Sequence, residues 1–176
     1  MSQDVNDGGF VDPNDELVLI PPGVYEARFV CYETRRSNGQ FSAKVVLTLE
    51  ITDEGPHKGV RLQKYYPTKE INGTPRLRGA FTVSPKSDLY RDYVRLIGKP
   101  SRRDRIRLYR YTDYVLVVEV DTVTHDGNKR PIPEDAQYSV VRQIDSVSAL
   151  LPPRQTSSAG DPNLNLSNPT PDDEIL

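Results

Sequence analysis

The clearest alternation of apolar and polar residues in this chain runs from residue 41 to residue 51. Every second residue there is apolar, and the residues between them are polar except for Val46. This two-residue period predicts a β-strand that faces a core on one side and solvent on the other. Such a pattern is typical of an antiparallel sheet with one solvated face.

Four further segments have the β-branched and aromatic composition of strands, at residues 24–34, 60–66, 114–124 and 137–147. The Asn38-Gly39 pair between the first two strands predicts a hairpin turn. Alternation in the first strand predicts one core-facing side, made of Tyr25, Ala27, Phe29 and Cys31.

One segment has the spacing of an amphipathic helix. Ser84 is a suitable N-cap, Pro85 suits the first helical position, and Gly98 predicts the end of the helix. The apolar stripe of this predicted helix consists of Leu89, Tyr93, Leu96 and Ile97.

The predicted order is three strands, a helix and two strands. This is the order of the OB-fold, a five-stranded Greek-key barrel with its helix between the third and fourth strands. We therefore expect a mainly β, OB-fold-like barrel over residues 17–151. Residues 1–16 are expected to form a flexible acidic arm, and the proline-rich residues 152–176 a disordered tail.

Charge is segregated along the chain, although the net charge is only −2. Residues 22–110 contain 19 Lys and Arg against 9 Asp and Glu, a surplus of ten positive charges. Residues 1–16 contain five acids and no base, and residues 152–176 contain four acids and one base. A basic body with acidic arms indicates that the body binds a polyanion.

Several functional classes are disfavoured by the sequence. There is no glycine-rich phosphate loop, nucleophile elbow or paired metal-ligand spacing, so we expect neither an enzyme nor a cofactor. The single cysteine, Cys31, is expected in the core and fits a reducing compartment. No apolar run is long enough to span a bilayer and no signal peptide is recognisable, so we expect a soluble, cytoplasmic protein in a bacterial or infected host cell.

Candidate binding residues follow from the OB-fold order, in which the loops after the first and fourth strands flank the face of strands two and three. Cations would contact phosphates, and tyrosine rings would stack on bases. The phosphate candidates are Arg35, Arg36, Lys44, Arg61, Arg103, Arg105, Lys129 and Arg130, and the stacking candidates are Tyr65, Tyr66 and Tyr109, with Tyr32 and Tyr111 as further rings. The alternatives are that these loops are merely solvated and that the arginines after residue 101 protect a strand edge.

The last five residues of the sequence combine three carboxylates with two aliphatic side chains. They are Asp172, Asp173, Glu174, Ile175 and Leu176. Carboxylates attract a basic pocket and the aliphatic side chains provide apolar area, so we expect this tip to bind a partner protein.

A basic body followed by such a tip resembles single-stranded DNA-binding proteins of the phage and mobile-element type. Bacterial members of that family end in a disordered linker and an Asp-Asp-Asp-Ile-Pro-Phe tip. The matching residues here are Asp172, Asp173, Glu174 and Ile175, whereas no proline intervenes and Leu176 replaces the phenylalanine.

The resemblance implies a sequence-tolerant protein that coats and protects single-stranded DNA during replication or recombination. It also implies recruitment of replication or repair enzymes through the tip, and action as a homo-oligomer. Two alternatives remain open, namely an RNA-binding OB module and a structural or adaptor β-protein of a virion.

Overall fold

The computed structural model describes residues 18–36, 43–102 and 105–150. The acidic arm, the proline-rich tail and its tip, residues 172–176, lie outside these ranges. The elements are β1 (Gly23–Arg36), β2 (Ala43–Ile51), β3 (Arg61–Pro67), β4 (Glu70–Asn72), β5 (Ala80–Thr82), α1 (Asp88–Ile97), β6 (Tyr114–Val123) and β7 (Tyr138–Leu150), with short 3₁₀ helices at Leu108–Asp113 and Glu134–Ala136.

Five strands form the main antiparallel sheet in the order β3-β2-β1-β6-β7. The helix lies between the third and fourth of these strands in the chain. The prediction of a mainly β fold with five main strands and one helix is therefore confirmed. The hairpin β4–β5 was not predicted, since strands of three residues are too short to show an alternating pattern.

A β-bulge in β1 changes which residues face the core. Ala27 and Phe29 are buried, and the pairing register with β2 then shifts between Phe29 and Cys31. Beyond the shift, Thr34 is buried, and Cys31 lies on the outer face. The prediction that Cys31 belongs to the core is wrong because the bulge adds one residue and reverses the alternation.

The helix begins one turn later than expected. Ser87 is the N-cap and its hydroxyl accepts a hydrogen bond from the Tyr90 amide, 3.3 Å away. Ser84 instead accepts a bond from the Ser87 amide at 2.9 Å, which closes a turn before the helix. Gly98 ends the helix with a φ of 101°, as predicted.

The core lies between the sheet and α1. Tyr111 from the first 3₁₀ helix is at its centre, with ring centroids 6.0 Å from both Phe29 and Tyr93. Burial raises the pKa of the Tyr111 hydroxyl, and Tyr111 is fully buried. Its ring is therefore part of the core and is not available for stacking on a base.

Strands β3 and β7, at the two ends of the sheet, contact each other without a backbone ladder among the described residues. We call this contact the seam. Lys64 Nζ donates to the Arg142 carbonyl across it, and Arg95 Nη2 of α1 donates to the Ile144 carbonyl at 2.5 Å. The described strands therefore do not form a closed barrel, because side chains rather than β3 amides satisfy these β7 carbonyls.

A segment after β4 covers the free edge of β1 beyond its pairing with β6. We call residues 73–79 the strap. The Thr34 amide donates to the Arg76 carbonyl at 3.0 Å, and the Arg78 amide donates to a β1 carbonyl at 2.9 Å. A Cβ on Gly79 would lie 2.1 Å from Thr34 Oγ1, so only glycine fits where the strap meets β1.

Candidate nucleic-acid interface

The outer side of β1, β2 and β3 brings most of the predicted strand residues together. Glu33 lies opposite Val46, and Val46 lies opposite Tyr65 on the next strand. Arg35 lies opposite Lys44. Residues opposite one another project from the same face of a sheet. We call this surface the cationic face, and its side chains are Arg28, Cys31, Glu33, Arg35, Lys44, Val46, Thr48, Glu50, Arg61, Gln63, Tyr65 and Pro67.

Tyr65 is the exposed aromatic residue of this face. Its side chain is 39% exposed, beside Val46, which is completely buried although it lies on the outer side. The Tyr65 hydroxyl donates to Gln63 Oε1, which fixes one end of the ring. The ring is therefore held at one end and accessible at the surface, as a stacking platform requires.

Cations lie on both sides of Tyr65 along the strands. Toward one end, Arg28 and Arg61 both bind the Glu50 carboxylate, at 2.5 and 3.2 Å. Partial burial opposes ionisation of Glu50, but hydrogen bonds from both arginines outweigh it and hold the Glu50 pKa below its ordinary value. Glu50 is thus ionised at neutral pH, and together with Arg28 and Arg61 it forms a group with one net positive charge.

At the other end, Arg35 binds Glu33 at 2.5 Å. Arg36 lies opposite the buried Ala43, so it does not belong to the cationic face, and it reaches the Gly73 carbonyl at 3.5 Å. No ion pair of Lys44 is found among the described residues. The whole face has four cations (Arg28, Arg35, Lys44 and Arg61) against two carboxylates (Glu33 and Glu50), a net charge of +2.

The adjoining half of the outer surface has the opposite charge. Glu26 of β1 and Glu119 and Asp121 of β6 lie on this side of the sheet. Arg142 pairs with Asp121 at 3.4 Å, which leaves two acids without an ion pair among the described residues. A polyanion that binds the cationic face would therefore be kept away from β6.

Tyr66 does not belong to this face. It is 1% exposed, and its hydroxyl donates to Asp92 Oδ2 of α1 at 2.8 Å. The prediction that Tyr66 stacks on a base is wrong, because adjacent residues of a strand point to opposite sides and Tyr65 takes the outer one. Tyr32 is likewise turned inward and packs edge-on against Phe81, 5.8 Å away.

The described residues of the basic connector after α1 form no strand. Arg102 and Arg105 form an isolated antiparallel bridge, and Arg103 lies outside the described residues. Tyr109 is 54% exposed, with its hydroxyl 3.2 Å from Arg107 Nη1. The contacts of the described residues do not join Arg105 or Tyr109 to the cationic face.

The second basic loop lies at the other end of β1. Asp126 Oδ1 accepts hydrogen bonds from the Asn128 and Arg130 amides, both at 2.8 Å, and shapes the turn between β6 and β7. Lys129 and Arg130 are exposed on this turn. Strand β6 runs antiparallel to β1, and its later part pairs with Gly23 at the start of β1. The turn that follows β6 is therefore near the start of β1, whereas Arg36 is at its end.

Comparisons of this chain with protein-family models, curated proteins and solved structures find no match. A proposal about function therefore rests on the geometry of the cationic face. No helix in the described ranges is both long and apolar enough to cross a membrane. Those ranges also contain no group of three or more His, Cys, Asp or Glu side chains placed to hold a metal ion.

The pairing at Glu50 predicts a specific dependence of stability on pH. Because the Glu50 pKa is lower in the folded state than in the unfolded state, ionised Glu50 stabilises the fold fully at pH values above the unfolded-state pKa of 4.5. This stabilisation is lost as the pH falls from 4.5 through the folded-state pKa. Glu50→Gln should reduce the free energy of unfolding by about 1 kcal/mol at pH 7, and this difference should shrink toward zero at acidic pH. Urea unfolding of both proteins at pH 7 and at acidic pH measures it.

Glu54→Gln is the matched control for this experiment. Glu54 is exposed, and among the described residues its ion pair is with Lys58, four positions later, so its replacement should change stability little at either pH. An effect of Glu50→Gln that is the same at both pH values would show that the carboxylate does not act through its ionised form.

Proposed function

We propose that this chain binds single-stranded DNA in a sequence-tolerant manner through the cationic face and has no catalytic role. The observation that carries the proposal is the position of Tyr65, an exposed ring between two cationic ends of one face. Aromatic rings stack on any base, and cations neutralise any phosphate, so neither contact depends on sequence.

The arrangement of strands supports an OB-fold-like interpretation. The long strand β1 pairs with β2 through its second half and with β6 through its first half, and α1 lies between the third and fourth main strands. The seam between β3 and β7 brings the sheet close to a barrel. In OB-folds, the face of the second and third strands is the one that binds oligonucleotides.

The remaining parts of the chain fit a protein that coats single strands during replication or recombination. We propose that the tip, residues 172–176, recruits replication or repair enzymes, and that several copies bind along one strand.

The test is the salt dependence of binding to a labelled oligothymidylate of about 16 nucleotides, the upper end of the site size of one OB-fold. About four phosphate contacts give a slope of about −2.8 in a plot of log affinity against log salt. Affinity should then fall about 50-fold between 50 and 200 mM salt, as fluorescence anisotropy would measure.

The competing functions predict different results in the same titration. A structured RNA that displaces the oligothymidylate at equal concentration would favour an RNA-binding module. Large assemblies that sediment identically with and without oligonucleotide would favour a structural protein of a virion. Absence of binding at low salt would reject the proposal.

A further inference from the structure

The strap extends the cationic face beyond the edge of β1. Leu77 lies opposite Glu33 in an antiparallel bridge, so its side chain is on the same face as Glu33. Tyr65, Val46, Glu33 and Leu77 therefore form one row across the strands, about 14 Å long at the usual strand spacing. Leu77 is 60% exposed, so the row has an accessible apolar group at each end.

The strap also carries exposed cations on either side of Leu77. No carboxylate among the described residues forms an ion pair with Arg76 or Arg78, in contrast to Arg28 and Arg35 on the cationic face. Arg78 lies near the Tyr32 ring, where its charge partly offsets the rise that burial causes in the Tyr32 pKa. The strap arginines therefore have their charge available for a ligand.

The backbone holds one of these arginines in a conformation that disfavours it. Arg78 has a φ of 54°, in the left-handed region where glycine is the preferred residue. Lys129, with a φ of 63°, is the other described residue besides glycine with a positive φ. Strained backbone positions concentrate at functional sites, so an arginine where glycine would be less strained supports a role for the Arg78 side chain.

The strap is fixed in place before any ligand binds. Besides its two backbone hydrogen bonds to β1, the Arg76 amide donates to Thr34 Oγ1 at 3.0 Å. Gly79 packs directly against the same threonine side chain. Residues on such a fixed segment lose little conformational freedom on binding, which favours affinity.

We infer that the strap is a second contact surface for single-stranded nucleic acid. A strand that stacks on Tyr65 would cross Val46 and Glu33 and place a base or sugar against Leu77. Its phosphates would reach Arg76 and Arg78 where it passes over the edge of the sheet, because the neighbours of Leu77 project away from the cationic face. This inference rests on the proposed function, and it assigns binding to three residues that the OB-fold order alone does not indicate.

Arg78→Gly separates binding from stability, because it removes the charge and relieves the left-handed strain together. We expect unfolding by urea at an equal or higher concentration, with affinity for the oligothymidylate reduced about three- to tenfold at moderate salt. The slope of log affinity against log salt should become shallower by about 0.7. Arg76→Ala should weaken binding to a similar degree, because it also removes one cation. It should leave the strap in place, because Arg76 contacts Thr34 through backbone atoms, which the substitution keeps.

Arg91→Ala is the matched control, because it removes one exposed cation from α1, across the core from the cationic face. It should leave both affinity and salt slope close to those of the wild type. If the wild type binds the oligothymidylate and Arg78→Gly and Arg76→Ala bind it with the same affinity as the wild type and Arg91→Ala, the strap has only a structural role and the inference fails. If the wild type itself does not bind, the proposed function fails instead.

Discussion

Tyr65→Ala is expected to weaken binding to the oligothymidylate by about 10- to 100-fold, since stacking of a base on an aromatic ring contributes about 1–3 kcal/mol. The large effect follows from the position of Tyr65, which is the exposed ring of the cationic face. The salt slope should stay near that of the wild type, because no phosphate contact is removed. Anisotropy titrations at several salt concentrations give both quantities.

Tyr65→Phe is the matched control, since it keeps the ring and removes the hydroxyl that donates to Gln63. It should retain most of the affinity. Thermal unfolding of both variants tests whether the fold is intact, as expected for a side chain that lies outside the core. Equal affinities of Tyr65→Ala and the wild type would mean that bases do not stack on this face.

Local alternation was sufficient to predict the central part of the cationic face. The polar positions of residues 41–51 correctly place Lys44 on the outer side, and the same reasoning places Arg61, Gln63 and Tyr65 there. The alternation within one strand shows which residues share a face, whichever strands lie beside it.

Alternation fails where the backbone departs from a regular strand. The β1 bulge moves Cys31 to the outer face, and no residue type in the sequence marks it. The pair Tyr65-Tyr66 shows the same limit: composition suggested two stacking rings, whereas a strand can expose only one of two adjacent side chains.

Contacts between distant segments were beyond the reach of the sequence pattern. The strap reaches β1 because Gly79 allows a close approach to Thr34, 45 positions earlier, and neither residue is informative alone. Leu77 and Arg78 therefore looked like ordinary loop residues. Lys64 of β3 donates a hydrogen bond across the seam from the inner side of the sheet. A simple alternation predicts an apolar residue at that position, so the pattern gives no sign of this contact.

Asp92→Ala is expected to reduce the free energy of unfolding by about 2–3 kcal/mol. Asp92 Oδ2 accepts the Tyr66 hydroxyl at 2.8 Å, and Oδ1 accepts from Arg95 Nη2 at 3.0 Å. Its removal leaves the buried Tyr66 hydroxyl without its acceptor and releases Arg95, the α1 side chain that binds the Ile144 carbonyl of β7. Urea unfolding at neutral pH measures the loss.

The comparison that isolates this network is Asp88→Ala, on the same helix. Asp88 pairs with Arg91 in an exposed i,i+3 arrangement, so its removal should cost less than about 1 kcal/mol, including its favourable position near the helix N-terminus. In a double-mutant cycle with Tyr66→Phe, the cost of Asp92→Ala should fall by about 1 kcal/mol or more, because the hydroxyl that needs the carboxylate is already absent. Additive effects would mean that the Tyr66 hydroxyl and Asp92 do not stabilise each other.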